Sequence, residues 1–290
     1  MNSHTHTTVE LPFPAHAVYS AWTTETAVKQ WLTPYARIDV PHGIFELWGA
    51  ALPEAPTQPA TRLLAVRENE MIHFAWNVRG GEGTIEVELT ARRESTHLSL
   101  RTALPPMKTG MAHPHDFFST AIENLRRHLA GGTPAWLPHY GAQTHGDPSL
   151  HIEIEAPPDK VFDALITPAQ LNRYIGPSAI VEPHAGGRYT YGWQGGGPIK
   201  ILDIEPNRKL SVNWHYPHEN EEMPETVVTW TLEGSGNRTR LTLVHSGFAK
   251  KRPADDYRSG WMKYMNSMKS MLELGPLFTA THLEGPAGNY

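Results

Sequence analysis

The feature that most constrains this chain is that it repeats itself. The stretch "PAHAVYSAWTTETAVKQWLTP" at 14–34 lines up with "PPDKVFDALITPAQLNRYIGP" at 157–177, and Pro14, Val18, Thr24 and Pro34 fall 143 positions before Pro157, Val161, Thr167 and Pro177. The same offset pairs "THLSL" (96–100) with "TRLTL" (239–243) and "FSTAIENLRRHL" (118–129) with "WMKYMNSMKSML" (261–272). Trp76 and Trp214 match at a shorter offset, so insertions and deletions in the middle must cancel. A period this long is a whole domain, and at 290 residues each copy can bury a core of its own. The reading is a first domain at 1–132, a linker at 133–148, a second domain at 149–280 and a tail at 281–290. The Gly- and Pro-rich stretch "GGTPAWLPHYGAQTHGDPS" (131–149) has no periodicity, which makes it a connector. Its Trp136, Leu137 and Tyr140 are too apolar for free coil and predict a linker lying against one domain.

Within the second copy the order of elements is legible. "LHIEIEA" alternates like a strand, and Pro157-Pro158 opens a helix through Ile166. Thr167 before Pro168 gives an N-cap and a first helical position for a second, short helix. Five strands follow, "RYTYGW", "IKILDI", "KLSVNWHY", "TVVTWTLE" and "TRLTLVH", several of them separated by turn signals. A helix from about Tyr257 to Leu274 closes the copy, and Gly275-Pro276 stops it. Strands and helices segregated in this way predict an α+β fold.

These pieces, "IEAPPDKVFDALITPAQLNRYIGP", "HAGGRYTYGW", "KLSVNWHY", "TRLTLVHSGF" and "GWMKYMNSMKSML", resemble in order the START-like (SRPBCC) superfamily. The closer resemblance is to the family named after the activator of heat-shock protein 90 ATPase, and it covers nearly all of 149–275. The first copy is similar but eroded, with "HGIF" for the double-glycine strand, Phe117-Phe118 for Gly-Trp and "TALP" for "HSGF". The resemblance implies two tandem helix-grip domains, each a curved antiparallel sheet wrapped around a long C-terminal helix. It often implies a cavity for an apolar ligand as well, but no shared catalytic residue. Many domains of the family it resembles pair with one another, so the duplication raises the expectation of an intramolecular pseudo-dimer. A chaperone partner is implied only by the family's name.

Candidate ligand contacts follow from the two periodicities. On the final helix Trp261, Tyr264, Met265, Met268, Met271 and Leu272 share a broad face, with Met262 to its side. Strand alternation puts Tyr189, Tyr191 and Trp193 on one side, then Leu210, Val212, Trp214 and Tyr216, then Val228, Trp230 and Leu232, then Leu241, Leu243 and His245. Aromatic groups with polar tips need partners, which a cavity can supply. Methionines are the adaptable wall such a cavity would use. The matched face of the first copy is Phe118, Ala121, Ile122, Leu125 and Leu129, ordinary core residues, which favours the second copy as the binder. Trp48, Trp76 and Phe118 are the first copy's candidates. Around "HGIFELWG" either Phe45 and Leu47 or Glu46 and Trp48 point inward.

Several chemistries find no support. The chain has no cysteine, which removes disulfides and thiolate chemistry and fits a reducing cytoplasm. A net charge of −5 gives no electrostatic reason to expect nucleic acid or an anionic membrane. "MNSHTHTTVELPFP" does not read as a signal peptide, and no run approaches a membrane span. The 17 histidines are scattered; "HPH" (113–115) and "HYPH" (215–218) lack carboxylates at a metal-binding spacing. "GWQGGGP" lies between strands and reads as a hairpin loop, not a phosphate cradle. No metal, cofactor or catalytic residue is assigned. The expected function is binding of a small hydrophobic or aromatic molecule between sheet and closing helix. The alternatives are a cavity enzyme using His245, Tyr191 or Glu46, and a chaperone-associated protein.

Overall fold

The computed structural model describes residues 3–49, 59–78, 81–105, 114–138, 146–193, 196–215, 225–248 and 255–284. They form two units, Met1–Ala142 with Pro276–Asn289, and Gln143–Gly275. The first unit runs β1 (Ser3–Leu11), α1 (Ala15–Thr23), α2 (Glu25–Trp31), β2 (Tyr35–Asp39), β3 (Ile44–Trp48), β4 (Thr61–Arg67), β5 (Met71–Val78), β6 (Gly81–Arg92), β7 (Ser95–Leu104) and α3 (Pro114–Leu129). The second runs β8 (Ser149–Ile154), α4 (Pro158–Ile166), α5 (Pro168–Tyr174), β9 (Ile180–Val181), β10 (Tyr189–Thr190), β11 (Gly197–Glu205), β12 (Lys209–His215), β13 (Thr226–Ser235), β14 (Arg238–Ser246) and α6 (Asp255–Leu274). A last strand, β15 (His282–Glu284), belongs to the first unit. This α+β architecture is the tandem helix-grip arrangement. Among the described residues no helix is long and apolar enough to cross a membrane.

The repeat is exact in register where it matters. Ile85 faces Thr102 as Val228 faces His245, and Leu98 faces Val9 as Leu241 faces Ile152. Trp76 opposes Gly83 while Trp214 opposes Thr226, which locates the compensating insertion between β12 and β13. The sheets read β15-β1-β7-β6-β5-β4 and β11-β12-β13-β14-β8, antiparallel throughout. In β14 the alternation in "RTRLTLVHS" becomes an alternation of burial: Thr239, Leu241, Leu243 and His245 are buried and the residues between them are not.

Both short helices begin where the sequence places them, yet their caps differ from the usual form. Thr24 and Thr167 are N-caps whose hydroxyls make no bond to the helix they open. Thr167 Oγ1 donates instead to Asp163, and Thr24 Oγ1 sits 3.2 Å from Ser20 Oγ, so each threonine staples its helix to the preceding one.

Several expectations are corrected. "RYTYGW" forms only the two-residue β10, because Gly192 has φ +78° and a Cβ there would meet Ser178 at 2.6 Å. The chain leaves the extended region to pack tightly on 178. Tyr216 lies outside the described residues, as do Tyr140 and most of the linker's second half. On α6, Met262 is buried like Met265, Met268 and Met271, since Arg258 Nη1 reaches its Sδ at 3.5 Å; Tyr264 and Leu272 are only half-buried. Residues 276–284 group with the first unit, whereas the sequence places 276–280 with the second copy and the rest in a tail.

Met265 and Met268 are fully buried against the sheet, so they behave as core. Met268→Ala is expected to destabilise the second unit by about 2–5 kcal/mol, and Met268→Leu by less than about 1.5 kcal/mol. Urea unfolding measures both; a wall of an open cavity would tolerate the alanine.

Candidate functional site

The second unit gathers its aromatics where α6 begins. The Nε1–H of Trp261 donates to His245 Nδ1 at 3.1 Å, and His245 Nε2 lies 2.8 Å from Thr226 Oγ1. An indole can only donate, so Nδ1 is the unprotonated nitrogen and Nε2–H donates to the threonine. Trp214, Phe248, Tyr257 and Trp261 surround the imidazole, with ring centroids 4.6–5.9 Å away. Burial pushes the His245 pKa down to about 3. The ring is neutral with both nitrogens engaged, which leaves it no lone pair for a general base. The two motif fragments quoted for this copy, "HSGF" and "GW", thus meet in one hydrogen bond. In the first unit the matched positions are Gly83, Thr102 and Phe118, and Thr102 Oγ1 instead meets Thr5 Oγ1 at 2.8 Å.

Next to this line the rings continue outward. Tyr191 packs on Tyr189, Trp193 and Trp214 at 5.5, 5.0 and 6.2 Å, and Trp193 on Tyr264 at 5.6 Å. Tyr189 and Tyr174 donate their hydroxyls to the carbonyls of Leu165 and Ala164, at the end of α4, at 2.7 and 3.0 Å. Burial raises both phenols well above the usual range, and Tyr191 as well. The indole N–H groups of Trp214 and Trp230 are buried with no acceptor among the described residues.

Open space lies beyond this cluster. A cleft of about 260 Å³ is lined by Arg188, Tyr191, Trp193, Ile199 and His215, with Gly192, Gly196 and Gly197 contributing bare backbone. The first unit has instead a void of about 10 Å³ between Trp22, Thr33, Thr61, Trp76 and Phe118, which is at the limit for one water. Trp76 closes it against Phe117 and Phe118 at 5.4 and 5.8 Å.

Of the residues singled out in the sequence, Tyr189, Tyr191, Trp214, Trp230, His245, Trp261 and Tyr264 come together in the second unit. Met265 and Met268 are packed and line neither space. Trp76 and Phe118 meet in the first unit, but Trp48 does not join them. The inward pair on β3 is Phe45 and Leu47; Trp48 stacks on exposed Tyr35 at 6.2 Å, and Glu46 pairs with Arg37 at 2.7 Å. Arg188 and His215 were missed, since Arg188 stands just before β10 and His215 ends β12, and only the fold brings them together. Among the described residues no group of three or more metal-binding side chains converges. His115 bonds Thr7 Oγ1 at 3.2 Å; His113, residues 216–218 and Gln194-Gly195 of the glycine loop lie outside the described residues.

A family model described as "Activator of Hsp90 ATPase homolog 1-like protein" matches residues 12–130 and again 155–273. No curated protein matches the chain. Among solved structures, an Aha1 dimer from Colwellia psychrerythraea is 23% identical with a TM-score of 0.41, covering 45% of this chain and 98% of that one. Protein MLL2253 from Mesorhizobium loti is 27% identical with a TM-score of 0.39, covering 44% and 98%. PFC0360w, an HSP90 activator from Plasmodium falciparum, is 19% identical with a TM-score of 0.38, covering 48% and 99%.

The depressed His245 pKa has a signed consequence. The unfolded chain binds this proton near pH 6.5 and the folded one only near 3, so the stabilisation is complete above 6.5 and lost as pH falls between the two. Within that window the second unit loses about 1.4 kcal/mol per pH unit from this group alone. In urea unfolding at pH 7, 5 and 4, His245→Asn, whose amide oxygen can still accept from Trp261, is expected to fall less steeply than the parent. Parallel slopes would show that His245 is already protonated or solvated.

Proposed function

The chain belongs, through both of its halves, to the family of Activator of Hsp90 ATPase homolog 1-like proteins, and we propose that its second unit binds a small aromatic or hydrophobic molecule in the cleft beside Tyr191 and Trp193. The observation that carries this reading is a cleft of about 260 Å³ in the second unit, where the Tyr191 and Trp193 rings stand beside Arg188 and His215. The cleft lies just below the roughly 300–1,000 Å³ of common small-molecule sites, so the guest has one or two rings. The Trp193 and Tyr191 rings offer stacking area, and Arg188 and His215 offer donors to a polar substituent. The ligand sits at the mouth of the grip, displaced from the face of Met265 and Met268, where the interior is filled.

Binding without turnover is the better reading of the same geometry. His245 has both nitrogens engaged, Glu46 is paired with Arg37 in the first unit, and burial keeps the Tyr191 phenol protonated. The family description favours one further reading, association with a chaperone ATPase. If the purified chain neither co-purifies with the host chaperone nor alters its ATPase rate, that reading fails.

The ligand reading is tested by native mass spectrometry and tryptophan fluorescence against one- and two-ring aromatics and short lipids. A 1:1 adduct with quenched emission is expected, weakened about tenfold or more by Trp193→Ala through the loss of its stacking face. Ile199→Arg, at an exposed rim position, should weaken it likewise without touching the core, and Trp76→Phe should leave it unchanged. No adduct with any compound, or binding indifferent to both cleft variants, would overturn it.

A further inference from the structure

The last described segment of the chain docks on the first unit. β15 pairs antiparallel with the outer edge of β1, placing His282 opposite Thr8, Leu283 opposite Thr7 and Glu284 opposite His6. Just before it, Thr279 Oγ1 donates to the carbonyl of Glu10, and Arg126 Nη2 donates to Thr279 Oγ1 at 3.2 Å. The Arg126 guanidinium lies 5.0 Å from the centre of the Phe278 ring, and Thr281 Oγ1 reaches Glu123 at 3.5 Å. Beneath the segment is therefore an ion pair, Arg126 to Glu123 at 3.2 Å, with side-chain exposures of 0% and 1%.

The second unit treats the same place differently. Lys269 holds the position of Arg126, and its ammonium donates to the carbonyl of Glu153 on β8 at 2.5 Å and to Glu273 at 2.6 Å. Glu273 also accepts from the backbone N–H of Glu155 at 2.7 Å. The second unit thus caps its edge with its own side chains, and among the described residues no further strand is added beside β8. The first unit needs a segment from the other end of the described chain, 282–284 against 6–8, to do so.

We propose that the β1 edge and the Glu123–Arg126 face of α3 form an acceptor groove for residues 278–284, and that two copies of this chain pair by exchanging these segments. Three features favour exchange over a permanent core element. The segment is held by a three-residue ladder and a few side-chain contacts. Beneath it lies an ion pair whose hydration is restored on opening, so, although the buried Phe278 is bared as well, the open groove costs less in water than a wholly apolar one. Burial already depresses the Arg126 pKa, and its Nε–H is buried with no acceptor among the described residues, so the closed form leaves a polar cost unrelieved. The connection bends at Gly275, with φ +54°, before the exposed Pro276 and Leu277, which gives a point at which the segment can swing out. A second copy is the occupant because every copy carries both groove and segment, so exchange reproduces the same contacts without new ones. An open strand edge is in any case a template for pairing.

The absence of native cysteine makes the test direct. Thr8→Cys and His282→Cys place two thiols on facing residues. The double variant, oxidised with glutathione disulfide at micromolar concentration, should form an intrachain disulfide seen as a mobility shift on non-reducing gels. The two single variants, mixed, incubated and then oxidised, should give a covalent heterodimer. From an equal mixture it should approach about a quarter of the chains near millimolar concentration, where a tethered and a free segment compete evenly and half of the exchanges join unlike variants, and fall away on dilution. Intrachain bridging in the double variant with no heterodimer from the mixture overturns exchange. Failure of the double variant to bridge overturns the groove itself.

Discussion

In the second unit an indole N–H, an imidazole and a threonine hydroxyl lie in one hydrogen-bonded line running from α6 across β14 to β13. Each of these groups is buried, and each would carry an unmet desolvation cost if the helix rotated away from the strand. The line therefore fixes the rotation of α6 about its own axis. With Trp261 held at His245, Met265, Met268 and Met271 follow at helical spacing and must face the sheet. The neutral state of His245 is part of the same constraint, because a second proton would displace the indole donor and place a charge among four aromatic rings.

The first unit keeps the register of this arrangement and discards its chemistry. Gly83, Thr102 and Phe118 stand where Thr226, His245 and Trp261 do, and edge-to-face packing of Trp76 on Phe118 replaces the hydrogen bonds. Losing directional bonds and filling the interior go together. Trp22, Trp31, Phe45, Phe74, Trp76, Phe117 and Phe118 occupy one cluster, and the gap between Trp22, Trp76 and Phe118 is about 10 Å³. What remains distinctive of this unit is the buried pair Arg126 and Glu123, covered by residues 278–281.

Much of this was legible in the residues because it rests on short-range rules. The repeat gave the number of domains, and period-two alternation in 226–233 and 239–245 gave the inward face that the structure has. Local rules failed where a backbone or a distant partner decides. Gly192 ends a strand that "RYTYGW" would otherwise continue, since its fit against Ser178 is a tertiary contact. Burial of Met262 depends on Arg258 folding back along the helix. In β3 both registers satisfied alternation, and the choice fell to Phe45 and Leu47 because Glu46 has Arg37 beside it on the outer side. The pairing of 282–284 with 6–8 spans nearly the whole chain and leaves no periodic trace in either segment.

The cleft and the filled interior have one cause. Tyr174 and Tyr189 spend their hydroxyls on the last carbonyls of α4, which draws both rings inward and brings Tyr191 and Trp193 after them. These rings pack on one another, and Trp193 is left at the boundary, one side on Trp214 and Tyr264. Past that boundary the chain is glycine at 192, 196 and 197, which has no side chain to fill the space. With aromatic bulk inside and glycine outside, the open space of this unit lies beside Trp193, where the proposed guest would sit. A guest there meets bare backbone and ring faces, so shape and stacking, more than hydrogen bonds, would set which molecules fit.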